Sequence, residues 1–251
     1  PETQLNLIND SQALGLSGKT SLSMYLSIYD HMSPDMDLIV LKALVDKLGF
    51  IDYLLRGKPE QASFRAYARA KLQPLLNKYG WSAVTGEDTN IAGLRAQILS
   101  NLATFEDAAV IAKARVYFAD YLIDKNRLPA ELKNTVLNII AENATDAEWG
   151  EMLEIAKSSN SFAEQKSLYN RLGVAKNIAL AKKAMQLSLD ATTPITIRPD
   201  LLYATSDLYL NETLDFVMTH HDQLMATIDN TSRTQYVPNM MSTGNQSEML
   251  S

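Results

Sequence analysis

Residues 89–126 read TNIAGLRAQILSNLATFEDAAVIAKARVYFADYLIDKN. In the first half, Ile91, Leu94, Ile98, Leu99 and Leu102 fall at i, i+3, i+7, i+8 and i+11. That is the spacing of one face of a 3.6-residue helix. In the second half, Val110, Ala114, Tyr117, Phe118 and Tyr121 follow the same rule. Glu106-Asp107 stand between them, where a new helix start favours negative charge. Two amphipathic helices joined by so short a turn pack antiparallel.

The period continues outward, for example through Leu132, Val136, Ile139 and Ile140. No segment sustains a period of two. The nearest, Thr192–Ile197, contains Pro194 and reads as an extended connector. Ser33-Pro34 looks like an N-cap followed by proline at the first helical position, and Pro59 and Pro129 can also open helices. Thr145 with Glu148, and Ser161 with Glu164, have capping-box spacing. Gly57, Gly80 and Gly173 sit just past periodic runs, where a left-handed residue ends a helix, and Pro74 should kink the run that holds it.

Together these signals place helices near 4–15, 19–32, 34–56, 59–79, 89–103, 106–126, 129–143, 146–158, 161–172, 174–190, 199–209 and 211–229. From residue 89 a helix pair recurs at roughly 30–40 residues, the period of stacked helix pairs. The expected class is all-α, an irregular α-solenoid of antiparallel helix pairs, HEAT/armadillo-like. One solenoid domain is expected over 1–230. The polar stretch 231–251 reads as a tail or as the start of truncated further helices.

Composition narrows the chemistry. The 251 residues hold 23 Lys+Arg and 29 Asp+Glu, a net charge of −6, with no Cys and only His31, His220 and His221. Disulfides, thiolate metal sites and cysteine nucleophiles are excluded. Adjacent His220 and His221 point about 100° apart on a helix and cannot chelate together. The acidic balance argues against a phosphate-backbone partner, so no nucleic acid is expected. No apolar run approaches the ~20 residues that cross a bilayer, so no membrane span is expected. Pro1-Glu2-Thr3-Gln4 has no initiator Met or leader pattern and reads as a cut or processed end. Cytoplasm and periplasm both fit this composition.

Gly18-Lys19-Thr20 is not a phosphate loop, because Ala13 stands where that loop needs its first glycine. His220-His221-Asp222 lies on an amphipathic run with Leu214, Phe216, Val217, Leu224 and Ile228, which favours one buried and one exposed imidazole. His31 beside Asp30 suits a helix end. Carboxylate pairs such as Glu148/Glu151 and Glu151/Glu154 read as solvated helix faces. Trp81 and Trp149 sit at core spacing. Asn-x-Ser/Thr triplets at Asn9, Asn143, Asn211, Asn230 and Asn245 carry no weight in so polar a chain. Arg95 and Arg198 are the candidate binding residues. Arg95 borders its apolar stripe and Arg198 opens Arg198-Pro199-Asp200, and a guanidinium on the inner edge of a solenoid can grip a carboxylate bidentately. The competing reading is a structural ion pair or a helix-end contact.

Several segments, in order, resemble one family. They are Asn9–Leu14 followed by Ser21-Leu22 and Tyr25-Leu26, then Pro74 with Leu75–Trp81, and Leu94-Arg95. Leu128-Pro129 with Leu132, Glu148-Trp149 with Leu153, Leu172–Asn177, and Leu214–Val217 with Asp222–Leu224 follow. Asn177 replaces a usual Asp, and Asp215 and His221 stand near usual Trp positions. The set resembles the C-terminal helical domain of gluzincin zinc aminopeptidases, the aminopeptidase N and puromycin-sensitive aminopeptidase group.

The resemblance implies a non-catalytic helical domain that covers an active site and gates peptide access. It places the zinc motif, His-Glu-x-x-His, in a missing upstream domain, so this segment carries no catalytic residue and no metal. The implied partners are the upstream catalytic domain of the same chain and peptide substrates, with Arg95 and Arg198 facing the interior. The alternative is a stand-alone HEAT-like protein-interaction scaffold, which the periodicity supports equally.

Overall fold

A computed structural model describes residues 1–242. Among them there are fourteen α-helices and no strand, so the chain is all-α. Packing divides it into two compact units, Pro1–Ile139 and the part from Ile140 onward.

The first unit contains α1 (Glu2–Leu16), α2 (Leu22–Leu26), α3 (Leu38–Leu54), α4 (Gln61–Tyr79), α5 (Thr89–Thr104) and α6 (Ala108–Ile123). The boundary falls inside α7 (Ala130–Glu142). α5 packs against α3, α4 and α6. Its face Leu94, Ile98, Leu99 and Leu102 is buried, as the spacing requires, against Val40, Leu41, Leu44, Val45 and Leu48 of α3 and the Phe64, Ala68, Leu72 and Leu75 row of α4. Each such Leu contributes about 1.5–3 kcal/mol relative to exposure.

The helix starts follow from local chemistry. Asp37 Oδ1 accepts the Ile39 N–H at 2.9 Å, so α3 opens at Leu38 and not at Pro34, which lies in the preceding turn. The expected 19–32 helix is instead α2 followed by a 3-10 turn, Ser27–His31. α4 runs unbroken through exposed Pro74, because Leu72 and Leu75 on either side are locked in the core. Gly80 ends it at φ 61°, the region glycine alone enters cheaply. Asp107 caps α6, while Glu106 sits outside the helix at φ 65° and reaches Arg65 at 2.6 Å.

The second unit contains α8 (Asp146–Ser158), α9 (Phe162–Leu172), α10 (Ile178–Leu187), α11 (Arg198–Ser206), α12 (Leu210–Thr219), α13 (His221–Met225) and α14 (Arg233–Met241). α8 and α9 form a hairpin, and α11 touches α9, α10, α12 and α14. Thr145 and Glu148 form a complete capping box on α8. Ser161 caps α9, but the Glu164 carboxylate takes the Ser159 hydroxyl at 2.9 Å.

Gly173 is right-handed, at φ −78°, and not the left-handed terminator its position suggested. Its lack of a side chain serves packing instead. A Cβ there would lie 2.6 Å from the Ala204 Cβ and 3.1 Å from the Leu201 carbonyl. The 211–229 run breaks at His220. The polar stretch after residue 230 contains α14, whose Tyr236 and Met240 are buried with Leu202, Leu210 and Val217.

Tyrosine hydroxyls tie helices to carbonyls elsewhere in each unit. In the first, Tyr29 donates to Leu44 O at 3.0 Å, Tyr67 to Leu26 O at 3.0 Å and Tyr79 to Pro34 O at 3.0 Å. In the second, Tyr203 donates to Tyr236 O at 2.9 Å, Tyr236 to Pro199 O at 2.8 Å and Tyr209 to Lys176 O at 2.5 Å.

Candidate functional site

Arg95 lies on the inner side of α5 and is 2% exposed. Its Nε donates to Tyr79 O at 3.1 Å, and its Nη2 to Glu87 Oε2 at 2.6 Å. The Arg95 guanidinium holds the Glu87 carboxyl below its ordinary value, helped by the Val84 N–H. The arrangement fastens the 80–88 loop to α5. With so little surface, the Arg95 guanidinium is turned to the protein itself.

Arg198 is half-buried at the first turn of α11. Its Nε donates to Thr193 O at 2.9 Å and its Nη2 to Ala191 O at 3.2 Å. The guanidinium thus gathers the turn that precedes its helix. The two arginines belong to different units, and each has local carbonyl partners.

The histidines make local contacts. The His220 ring packs against Phe216 with centroids 4.6 Å apart and planes inclined by 49°, and His221 Nδ1 lies 3.1 Å from Asp222 Oδ1. Neither contact brings in a hydroxyl nucleophile. His31 is exposed at the end of the 3-10 turn, and the neighbouring Asp30 pairs with Lys71 at 3.2 Å. Both tryptophans are core residues. Trp149 donates to Leu172 O at 3.0 Å, and Trp81 packs against Tyr117 with rings 5.5 Å apart. Of the five Asn-x-Ser/Thr triplets, the one at Asn245 lies outside the described residues.

Among the described residues, no group of three or more His, Asp or Glu is placed to hold a metal ion. No helix among them is long and apolar enough to cross a membrane.

Open clefts offer the surfaces for binding. In the second unit, a cleft of about 440 Å³ separates α10 from α12. Lys182 and Lys183 of α10 line one wall, and Glu212, Asp215 and Phe216 of α12 with the adjoining His220 line the other. Lys183 is tied to Asp146 at 2.7 Å. Opposed charges across an open cleft suit a zwitterionic or peptide-like ligand. A second cleft of about 600 Å³ is edged by Asp200, Tyr203, Asp229 and Tyr236. There, hydrogen bonds from Thr231 and Ser232 pull the Asp229 carboxyl down to about 2. In the first unit, a cavity of about 170 Å³ is walled by Leu16, Leu22, Tyr25, Phe50, Ile51 and Leu54.

None of these clefts is legible in the sequence motifs, because each is walled by residues from helices far apart in sequence. Nor is the ion-pair cluster in which Arg65 holds Asp52 at 2.7 and 3.0 Å while Gln61 donates to the same carboxylate. An Asp at position 52, inside the apolar run of α3, was the available signal.

The chain is similar to known proteins. It matches the family described as ERAP1-like C-terminal domain over residues 1–251. It is 23% identical over 195 residues to an alanine/arginine aminopeptidase of Saccharomyces cerevisiae, covering 76% of this chain and 23% of that protein. It is 20% identical over 194 residues to Aminopeptidase 2, mitochondrial, of the same yeast, covering 76% of this chain and 20% of that protein. The matched part is thus under a quarter of the length of these relatives.

Proposed function

Because the chain belongs to the ERAP1-like C-terminal domain family, we propose that it serves as the non-catalytic helical part of a zinc-dependent aminopeptidase. In this reading it covers the active site and limits which peptides reach it. The observation that carries the proposal is the family match across all 251 residues. The names of the two yeast relatives supply the reaction class, removal of residues from peptide N-termini. The cleft between α10 and α12, with cationic and anionic walls, supplies a surface of the chemistry a peptide needs.

The zinc and its catalytic carboxylate belong to an upstream domain in this reading, and the helical part performs no bond-making step. Its work is steric and electrostatic: excluding folded chains, and holding the remote part of a peptide so that binding energy acts at the reacting end.

The parent reading frame is expected to encode a His-Glu-x-x-His motif upstream of Pro1. A parent without one overturns the proposal. In the full-length enzyme, Lys182→Ala is expected to raise the Michaelis constant for long peptides more than for dipeptide-like substrates. Equal effects on both would remove the cleft from the account. A stand-alone scaffold is favoured by no specific feature of the structure.

A further inference from the structure

The cavity of the first unit lies where α1, α2 and α3 meet. Leu16, Leu22, Phe50, Ile51 and Leu54 make its apolar wall, and its volume is about 170 Å³. An apolar cavity of ~150 Å³ takes up one benzene. This one therefore has room for a single ring or a branched alkyl group, and not for a run of amino acids.

Two hydroxyls of lining residues, those of Tyr25 and Thr20, are buried without a hydrogen-bond partner. Tyr25 is 5% exposed. Its neighbour Tyr29, edge-on with ring centroids 6.4 Å apart, donates its own proton to Leu44 O. Buried polar groups are nearly always paired, so two unmet hydroxyls on one small cavity call for an acceptor from outside the chain. The rest of the lining sets the sign of that acceptor. The exposed Lys58 ammonium has no ion-pair partner among the described residues, and no Asp or Glu lines the cavity. Gln12 Oε1 already accepts from Lys47. The lining thus offers an ammonium and two O–H groups, in a chain whose net charge is −6.

We propose that this cavity binds a small monocarboxylate with a compact apolar body, an arylacetate or a branched short-chain acid. The apolar body fills the space between Leu16, Leu22, Phe50 and Leu54. The carboxylate lies toward Lys58 and accepts from the Tyr25 and Thr20 hydroxyls. An α-ammonium on the same molecule finds no acidic partner in the lining, so the site favours the acid over the corresponding amino acid. A ligand of about ten heavy atoms has limited affinity, and a dissociation constant on the order of 1 mM is expected. The inference does not rest on the aminopeptidase reading.

Amide chemical shifts of the 251-residue chain, followed as phenylacetate is added to about 20 mM, test the site on the affinity scale expected. Saturable shifts confined to α1, α2, α3 and the turns beside them are expected. Lys58→Gln should weaken phenylacetate about fivefold and leave phenylacetamide, its neutral analogue, unchanged. Tyr25→Phe should also weaken phenylacetate about fivefold. It should leave the melting temperature of the ligand-free chain equal or higher, because it removes an unmet hydroxyl. Leu54→Trp puts an indole into the space and should abolish binding. Circular dichroism confirms that each variant is helical. Phenylalanine should bind at least about fivefold more weakly than phenylacetate. Absence of saturable shifts overturns the proposal. So does binding that survives Leu54→Trp, a Tyr25→Phe chain that binds as tightly as the original, an equal response of phenylacetate and phenylacetamide to Lys58→Gln, or phenylalanine that binds the more tightly of the two.

Discussion

Single residues do the fastening here. Arg95 joins the Tyr79 carbonyl and the Glu87 carboxylate from a nearly closed position on α5. Arg95→Met keeps the side chain's bulk but leaves that buried carbonyl without its donor, at about 1–3 kcal/mol. Urea unfolding should show the loss. Gly173 gives a sharper case. Gly173→Ala drives a methyl to 2.6 Å from the Ala204 Cβ and should cost about 1–3 kcal/mol. Ala204→Gly in the same chain should recover part of that loss, and the double-mutant cycle measures it. Neither role could be read in the chain's order of residues. An arginine beside an apolar stripe and a glycine after a helix each have two physical explanations, and only the neighbour in space chooses between them.

At the scale of elements, the sequence was most legible where the determinants are local. The Thr145–Glu148 box needs only residues three apart, and both of its bonds form, at 3.2 and 2.7 Å. Thr145→Ala should destabilise the second unit by about 1 kcal/mol, read as a lower urea midpoint at unchanged slope. The α5 stripe was legible for the same reason: its period alone fixes the buried face. Long-range competition produced the misses. Ser33-Pro34 looks like a helix start, yet Tyr79 and Lys78 of α4 both bond to Pro34 O and hold it in a turn. The 211–229 run has unbroken helical spacing, but the backbone opens at His220, where φ is −113° and ψ 24°. Tyr236 and Met240 give α14 a core face, although its average composition is polar enough to suggest a tail.

For the whole molecule, the tyrosine ties have a consequence in alkaline solution. Burial raises the hydroxyls of Tyr29 and Tyr236 far above their ordinary value of 10, and raises Tyr67 to about 12. Each of these groups keeps its proton in the folded chain at a pH where the unfolded chain has lost it. Their contribution to stability is therefore complete below the ordinary value and declines as pH climbs above it. Both units contain such a group, so neither should withstand strong base. Tyrosinate absorbance should rise in two stages, first from the accessible rings and then together with the loss of helical circular dichroism. A single stage with helicity intact would show that the buried hydroxyls ionise without unfolding. The phenols that fasten the helices are thus also a built-in optical gauge, reporting by ultraviolet absorbance alone when the chain has come apart.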